Sequence, residues 1–478
     1  RLASPAATRL AELLPEGALP GHGDAWARRL FEDGEVSAGR IGFHGVAADF
    51  PFRRGEGEFS ADFDVRAATL HYALHWPPAN GVDATVSARG PAVEVRFEHG
   101  AISGARIDGA VVTLPDVATR ERQLHIHGTA RGPAASALTV VRDSPLALGR
   151  ARRLQELEID GPIALDLDID IGLYPNGPHL VDGVAHFDGN RISAPAHHVT
   201  LDDVTGTVEF DQGAWQGKHL AARYGDGLVQ LAVQGGGDPQ AEASFSLEGA
   251  ASAADLVDDL HRYTPALHGW LASNARLDAF SGRARWRATL ALPNAAAVAD
   301  GAHQRLVVES DLQGLGIDLP APLAKPRDSV RPLKIAMTLE GGRPTRTEVT
   351  LDDAVAVELE SGLDETGRAR LLRAEAVLGE RTPRFEGLPG LSLRGRTARL
   401  PLGDWTRFVS QANAAARDGA PAPLGLPLSF DVATDELHVL GRRFGPQRLV
   451  GTYDAQGWQV AVSGEDVAGR LAMPRDPA

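Results

Sequence analysis

Apolar and polar residues alternate over strand-length stretches along most of the chain. In residues 163–171 the odd positions are all Ile or Leu, whereas Asp166, Asp168 and Asp170 occupy even positions. The same alternation recurs in four further stretches: 58–65, 92–97, 334–339 and 355–359. Parallel sheets are covered on both faces and therefore have continuous apolar strands. The pattern predicts mainly antiparallel sheet with one solvated face.

The amount of predicted strand is too large for one compact core. Sandwiches and barrels close at roughly 100 to 250 residues, and this chain has 478. We expect a mostly β fold in which consecutive strands curl into an elongated, repeating β-groove with an apolar interior. A closed sandwich of two sheets with a dry core is the alternative.

The candidate groove lining consists of the apolar residues on one side of these strands. An open apolar trough of this kind suits acyl chains. The lining candidates are Phe59, Phe63, Val95, Phe97, Leu165, Leu167, Ile169, Ile171, Val208, Phe210, Phe245, Leu247, Trp286, Leu290, Ile335, Met337, Leu339, Val355, Val357 and Leu359.

Helical signals are few and short, too short to cover a sheet. Ser252 and Asp255 form a capping-box pattern at the start of one of them. The predicted helices begin at Ser4, at Asp24, at Pro133 (ending near Asp143), at Ser252 (ending at Tyr263) and at Asp404 (ending near Arg417).

A succession of strand end, helix, helix stop and next strand occurs twice, about 120 residues apart. Its markers are Gly128, Leu138, Pro145 and Gly161, then Gly249, Leu256, Pro265 and Gly282. This repetition predicts four segments along the chain: 1–127, 128–248, 249–403 and 404–478, the last being incomplete.

Composition and charge exclude several functions. With 43% hydrophobic and 23% charged residues the chain is expected to be folded and soluble. A net charge of -15 opposes binding to nucleic acid or to anionic headgroups. There is no cysteine, and hence no thiolate metal site. The chain starts at Arg1 without a Met or an apolar run of membrane-spanning length, so we expect an internal piece of a longer protein.

Two sets of side chains have metal-ligand chemistry, but each has a simpler interpretation. His125 and His127 share a strand face, where zinc would need ligands from another strand. The Asp166, Asp168 and Asp170 ladder would hold calcium only with further carboxylates. We expect both sets to be solvated faces, and therefore no metal site.

No catalytic or cofactor motif is present in the sequence. Phosphate-binding loops, a dinucleotide fingerprint and a nucleophile elbow are all missing, so the sequence predicts neither an enzyme nor a cofactor. Arg283, Arg285 and Arg287 line one strand face. They are interpreted as solvated side chains, with contact to lipid phosphate at a groove rim as the alternative.

Six motifs stand out along the chain: 45–52 (GVAADFPF), 206–210 (GTVEF), 306–326 (LVVESDLQGLGIDLPAPLAKP), 331–333 (RPL), 389–395 (PGLSLRG) and 400–405 (LPLGDW). In sequence and in order, over nearly the whole chain, they resemble the YhdP-like family of AsmA-like envelope proteins from Gram-negative bacteria. The resemblance implies a taco-shaped groove in the periplasm that conducts phospholipids towards the outer membrane. It also implies an inner-membrane anchor before this chain and an outer-membrane contact after it, both outside these residues.

The sequence therefore predicts a non-enzymatic segment of a lipid-transfer conduit with phospholipids as its partners. Two alternatives remain open. One is an assembly factor for outer-membrane proteins, similar to TamB, that offers the groove or its edge to nascent strands. The other is a structural β-solenoid.

Overall fold

A computed structural model of the chain describes most of its residues. The described residues are 6–9, 29–46, 49, 52, 54–72, 75–117, 119–144, 157–174, 177–211, 213–236, 241–256, 259, 279–341, 343–367, 369–379, 390–408, 426–454 and 456–474. The chain divides into two compact units. Unit 1 comprises Arg1–Asp226 and Gln230–Ala243, and unit 2 comprises Gly227–Val229 and Ser244–Ala478.

Unit 1 is an antiparallel meander of consecutive strands, as the alternating sequence predicts. Each strand from β1 to β6 pairs with the next, β6 then pairs with β8, and the meander continues through β9, β10 and β11, while β7 pairs with the far end of β9. Its strands are β1 (Glu35–His44), β2 (Glu58–Leu70), β3 (Ala79–Arg89), β4 (Ala92–Ile102), β5 (Ala105–Leu114), β6 (Gln123–Pro133), β7 (Glu158–Asp160), β8 (Pro162–Gly172), β9 (His179–Ala194), β10 (Val199–Phe210) and β11 (Trp215–Tyr224). The division between the units falls within β12 (Gly227–Gly235) and β13 (Ala241–Ser252).

Unit 2 is also a meander, with one parallel interruption. Strand β21 is parallel to both of its neighbours, β20 and β22, and the remaining pairs are antiparallel. Parallel neighbours need a crossover of about a dozen residues or more, and 379–390 and 402–427 provide the two connections. The strands are β14 (Phe280–Pro293), β15 (Gln304–Ser310), β16 (Leu315–Ile317), β17 (Leu333–Glu340), β18 (Arg343–Leu351), β19 (Val355–Leu363), β20 (Ala369–Leu378), β21 (Leu391–Pro401), β22 (Leu428–Val439), β23 (Arg442–Phe444), β24 (Gln447–Asp454), β25 (Gly457–Gly464) and β26 (Gly469–Pro474).

The mostly β prediction is confirmed, and helices are short throughout the described ranges. The helix Ala134–Arg142 lies where the sequence predicts it, between Pro133 and Asp143. The predicted capping box is present, because Ser252 N–H donates to Asp255 Oδ2 (2.9 Å) and Asp255 N–H donates to Ser252 Oγ (3.2 Å).

Other helical predictions are only partly within the described residues. Helix is described at 29–30, 253–256, 259 and 402–408, and a 3₁₀ turn is described at 7–9, within the helix predicted from Ser4. The helix predicted from Asp24 does not extend past residue 30, because Phe31 forms a β-bridge with Leu70. Most of the other residues predicted as helix lie outside the described ranges. A 3₁₀ turn, Pro195–His197, follows β9. A five-residue helix, Ala295–Ala299, was not predicted, and Asn294 caps it by accepting from Ala297 N–H (2.9 Å).

Candidate functional site

One face of the unit 1 sheet is an uninterrupted row of apolar residues. The register pairs place each residue of this row directly opposite the next on neighbouring strands. The row across β2 to β9 is Phe63, Val86, Val95, Val112, Ile126, Ile169 and Val181. The same face therefore continues from strand to strand through the meander. We call this side of unit 1, with its counterpart in unit 2, the apolar face.

The second row of unit 1 combines large and small side chains. It comprises Phe97, Ala110, Gly128, Leu167, Gly183 and Phe210. A Cβ at Gly183 would lie 2.8 Å from Phe210 Cζ and 3.0 Å from Leu167 Cδ2. Gly183 thus makes room for the Phe210 ring on the apolar face. Phe59, Leu165, Ile171 and Val208 lie on this face by the same alternation.

Unit 2 has a longer apolar row. It runs through eleven strands from β14 to β26. Thr347 contributes a hydroxyl group within the row, and a tyrosine and a tryptophan lie near its far end. The row is Leu290, Leu306, Met337, Thr347, Leu359, Ala374, Leu391, Leu428, Tyr453, Trp458 and Met473. A second row beside it contains Ile335 and Val357. Leu339 and Val355 lie an even number of residues away on the same strands and therefore lie on the same face.

The remaining candidates of unit 2 lie on β13 and β14. A Cβ at Gly249 would come within 3.3 Å of Trp286 Cζ2, so Gly249 and Trp286 occupy the same face. Phe245 and Leu247 alternate with Gly249 along β13, which places them on that face as well. All predicted lining residues therefore lie on the apolar face of their own unit.

The apolar face is partly exposed to solvent rather than fully buried. Of the predicted lining residues, only Ile171, Met337, Leu339 and Val355 are buried. The others are half-buried, an intermediate state unlike the dry centre of a two-sheet sandwich.

Part of the apolar face in unit 2 is covered by the chain itself. Leu312 and Leu315, with the half-buried Ile317 and Leu323, pack against residues at one end of strands β17 to β22. These strand-end residues are Leu333, Leu351, Val355, Val357, Leu378, Leu393 and Val432. These four residues belong to the 311–332 segment, which follows β15 and includes β16, and the same cluster contains Ala253 and the half-buried Leu256 of the helix at 253–256. This dry cluster is not available to a ligand.

The 311–332 segment is fastened by polar side chains. Trp405 Nε1 donates to Ala321 O (2.9 Å), and Arg331 donates to Pro322 O (3.0 Å) and to Asp352 Oδ2 (2.6 Å). Lys325 is 2% exposed and donates from Nζ to Leu315 O (2.8 Å) and Pro326 O (3.0 Å). Burial lowers the pKa of Lys325. The segment is therefore a fixed part of the fold.

Sequence reasoning missed this cover, although it singled out the 306–326 motif. The apolar residues of 315–323 alternate as in a strand, but this alternation gives no sign of which sheet residues they pack against, and Pro320 and Pro322 interrupt strand pairing. A loop of this length inside a compact region is itself an indication of a specific role. It is the one signal that the sequence offered.

The opposite face of unit 1 carries the His and Asp sets, which pair with each other. His127 Nδ1 lies 2.7 Å from Asp168 Oδ1, and His125 Nδ1 contacts Asp170 across β6 and β8. Asp166 instead meets His186 Nε2 of β9, at 2.9 Å from its Oδ2. Within the described ranges no group of three or more His, Cys, Asp or Glu side chains could hold a metal ion.

The arginines of β14 are engaged with β13. Arg287 Nε donates to Glu248 Oε1 (2.7 Å), and Arg283 donates to Ala250 O (2.9 Å). Arg285 is exposed between them. These contacts tie neighbouring strands on the polar side of the sheet, away from Trp286 on the apolar face.

The described part of the chain offers no helix of the length and apolar character needed to cross a bilayer.

Comparisons with known proteins point to one family. A family model described as "YhdP protein" matches residues 1–478. The chain is 22% identical over 453 residues to an Escherichia coli (strain K12) protein named "Intermembrane phospholipid transporter YhdP". The match covers 92% of this chain and 33% of that relative, so the chain spans about a third of its length. No solved structure matches. Because the family model covers its whole length, the chain belongs to the YhdP family.

Proposed function

We propose that this chain is a non-enzymatic segment of a conduit in which the apolar face shields the acyl chains of phospholipids. The observation that carries the proposal is the long apolar row of unit 2, from Leu290 to Met473, in which Thr347 contributes one hydroxyl group. Most members of this row keep part of their surface accessible, as a lipid path requires, whereas Met337 and Thr347 are buried. The family membership and the name of the Escherichia coli relative support the choice of phospholipid as cargo.

The dimensions of the row suit lipids in series. Eleven strands have ten spacings of about 4.8 Å, which gives roughly 48 Å before twist shortens it. One leaflet of a bilayer core is about 15 Å thick, so the row is longer than a single acyl chain. Each CH₂ shielded from water contributes about 0.8 kcal/mol. A uniform apolar row therefore retains lipid without a specific binding residue, and uniformity permits movement along it.

The 311–332 segment limits this path. Because its leucines cover the strand ends around Leu351 and Val355, acyl chains in unit 2 are confined to the residues nearer the other strand ends, such as Leu290 and Leu359. The headgroup then lies at the uncovered side of the strands, where Leu363 is 55% exposed. In this arrangement the segment is the closed wall of the path.

We further propose that the chain works in the periplasm as part of a longer, inner-membrane-anchored protein, and that the parts beyond it contact the membranes. The four-segment division of the chain likewise remains a prediction. Neither proposal affects the test of lipid binding, which uses this chain alone.

Lipid occupancy is tested by native mass spectrometry on the chain purified in a mild detergent, followed by lipid extraction. We expect bound phospholipid that exchanges with added phosphatidylethanolamine or phosphatidylglycerol vesicles. Apo protein from every gentle preparation, or preference for unfolded outer-membrane barrel peptides over phospholipid, contradicts the conduit. The second outcome would instead favour an assembly factor.

A further inference from the structure

Leu312, in the 311–332 segment, has a backbone conformation that leucine rarely adopts. Its φ of 53° lies in the left-handed region that favours glycine, while its side chain is only 3% exposed. A bulky residue in this region is strained, and strain of this kind persists only where the surrounding structure holds it. The backbone alone would favour glycine, so the presence of leucine points to the contacts of its side chain.

Hydrogen bonds hold Leu312 in a fixed position against the sheet. Its N–H donates to Ser310 Oγ (3.0 Å), and Ser310 Oγ donates in turn to Arg285 O of β14 (2.7 Å). The Leu312 carbonyl accepts from Leu315 N–H (3.1 Å). The turn that carries the isobutyl group of Leu312 is therefore bonded to β14.

Leu312 belongs to the dry cluster that closes one end of strands β17 to β22. This cluster includes the half-buried Val357 on β19 and Leu333 on β17. Apolar-face residues nearer the other ends of these strands are not part of it, among them Leu359 on β19 and Leu339 on β17. The edge of the cluster therefore limits how far an apolar ligand can extend along each strand.

The part of each strand outside this edge is about as long as an acyl chain. On β19 the exposed Leu363 is six positions after Val357, and on β17 Leu339 is six positions after Leu333. At about 3.3 Å per residue, both lengths are roughly 20 Å. One leaflet of a bilayer core is about 15 Å thick. An acyl chain of ordinary membrane length therefore fits, whereas a much longer chain reaches the cluster first.

We propose that Leu312 is the residue that determines acyl-chain length in the lipid path of unit 2. Its side chain limits the depth that acyl chains reach, so phospholipids with chains of about leaflet length bind in preference to longer ones. This inference rests on the proposed function. A phospholipid that leaves a bilayer loses the shielding of each methylene and regains it on the apolar face. Each methylene that finds no room stays in water, which weakens binding about fourfold.

A competition between phospholipids that differ only in acyl length tests this depth. The whole chain is incubated with mixed vesicles of dimyristoleoyl, dipalmitoleoyl, dioleoyl, dieicosenoyl and dierucoyl phosphatidylcholine, and native mass spectrometry compares bound with supplied lipid. We expect similar binding of the shorter lipids, then a fall of about fourfold or more for each added methylene. Bound lipid without such a fall overturns the length limit alone. Absence of any bound lipid refutes the conduit, and this inference with it.

Leu312→Gly tests the residue itself, because glycine adopts the left-handed conformation without strain. The variant should fold, as circular dichroism will show, and its fall in binding should move to longer lipids, with the dieicosenoyl-to-dioleoyl ratio rising about fourfold or more. Leu440→Gly is the matched control, since Leu440 also has a left-handed φ of 50° but is 93% exposed and outside the cluster. It should keep the wild-type profile. An unchanged profile in folded Leu312→Gly overturns the proposal.

A second measurement needs no variant. A phospholipid with a photoreactive diazirine at the methyl end of one acyl chain is bound to the wild-type chain, and the labelled peptides are identified by mass spectrometry. We expect labels in the 311–332 segment and near Val357, with fewer at Leu363. Predominant labelling at Leu363, or equal labelling of all three regions, overturns the depth limit.

Discussion

Charges introduced at two positions on β19 distinguish an open lipid path from a closed core. Val355 and Leu359 lie on the same face of the same strand, four residues or about 13 Å apart. Val355 is 9% exposed and packs in the cluster with Leu312 and Leu315, whereas Leu359 is half-buried. The two substitutions are Val355→Asp and Leu359→Asp.

The expected magnitudes differ because the surroundings differ. Val355→Asp loses about 2 kcal/mol of apolar burial and leaves a polar group without a partner, at a further 1 to 3 kcal/mol, so unfolding should become easier by about 4 kcal/mol. Leu359→Asp loses about half of a leucine's burial, roughly 1 kcal/mol, and its carboxylate reaches water along the groove. Met337, at 4% exposure, should respond as Val355 does.

Urea unfolding followed by circular dichroism measures both free energies, and vesicle co-sedimentation measures lipid capture. We expect Leu359→Asp to fold like the wild type but to capture less phospholipid. Thr350→Asp, an exposed position on the polar face of β18, is the matched control and should change neither property. If both inward variants unfold to the same extent, the apolar face is a closed core and the conduit reasoning is refuted.

Three further results are expected. Although burial acts to raise it, hydrogen bonds from Arg331 and from the Ala354 N–H hold the pKa of Asp352 below its usual value. The stability that the ionised Asp352 contributes is present above about pH 4 and is lost as pH falls through its depressed pKa. Arg331→Ala should therefore move the acid-unfolding midpoint of the chain to higher pH. An unchanged midpoint would mean that the Arg331–Asp352 pair does not fasten the 311–332 segment. Gly183→Val should destabilise unit 1 by about 1 to 3 kcal/mol in urea unfolding, since the valine side chain would overlap Phe210. Wild-type stability of this variant would contradict the close packing of Gly183 against Phe210. EDTA should leave the melting temperature unchanged because the His and Asp sets are surface pairs, and a loss of several degrees would reveal a structural metal.

The alternating pattern was sufficient to predict the strands and their apolar side. Side-chain direction has a period of two along a strand, so the odd positions of 163–171 could be assigned to one face before any pairing was known. The pairing extends that assignment from strand to strand, as between Ile126 and Ile169. Bulges interrupt it locally, for example between Val65 and Ala68 on β2, and no sequence period marks them.

Long-range packing could not be predicted in the same way. The cover by the 311–332 segment depends on contacts between Leu312 and strands that follow it in the chain, which local periodicity does not encode. The parallel placement of β21 depends on crossovers rather than on its own sequence. The burial of Glu358 of β19 and Glu375 of β20 was equally hidden, because their alternation is typical of an ordinary solvated face.

Site-specific photo-crosslinking of phospholipid measures the use of the apolar face most directly. A benzophenone amino acid is placed at Ile169 or Leu359 on the apolar face, and at the neighbouring Asp168 or Glu360 on the polar face, in the chain incubated with phosphatidylethanolamine and phosphatidylglycerol vesicles. We predict lipid adducts, identified by mass spectrometry, at Ile169 and Leu359 and only background at Asp168 and Glu360. Equal crosslinking on both faces, or no lipid adduct at either apolar position in folded protein, would contradict a lipid path along the apolar face.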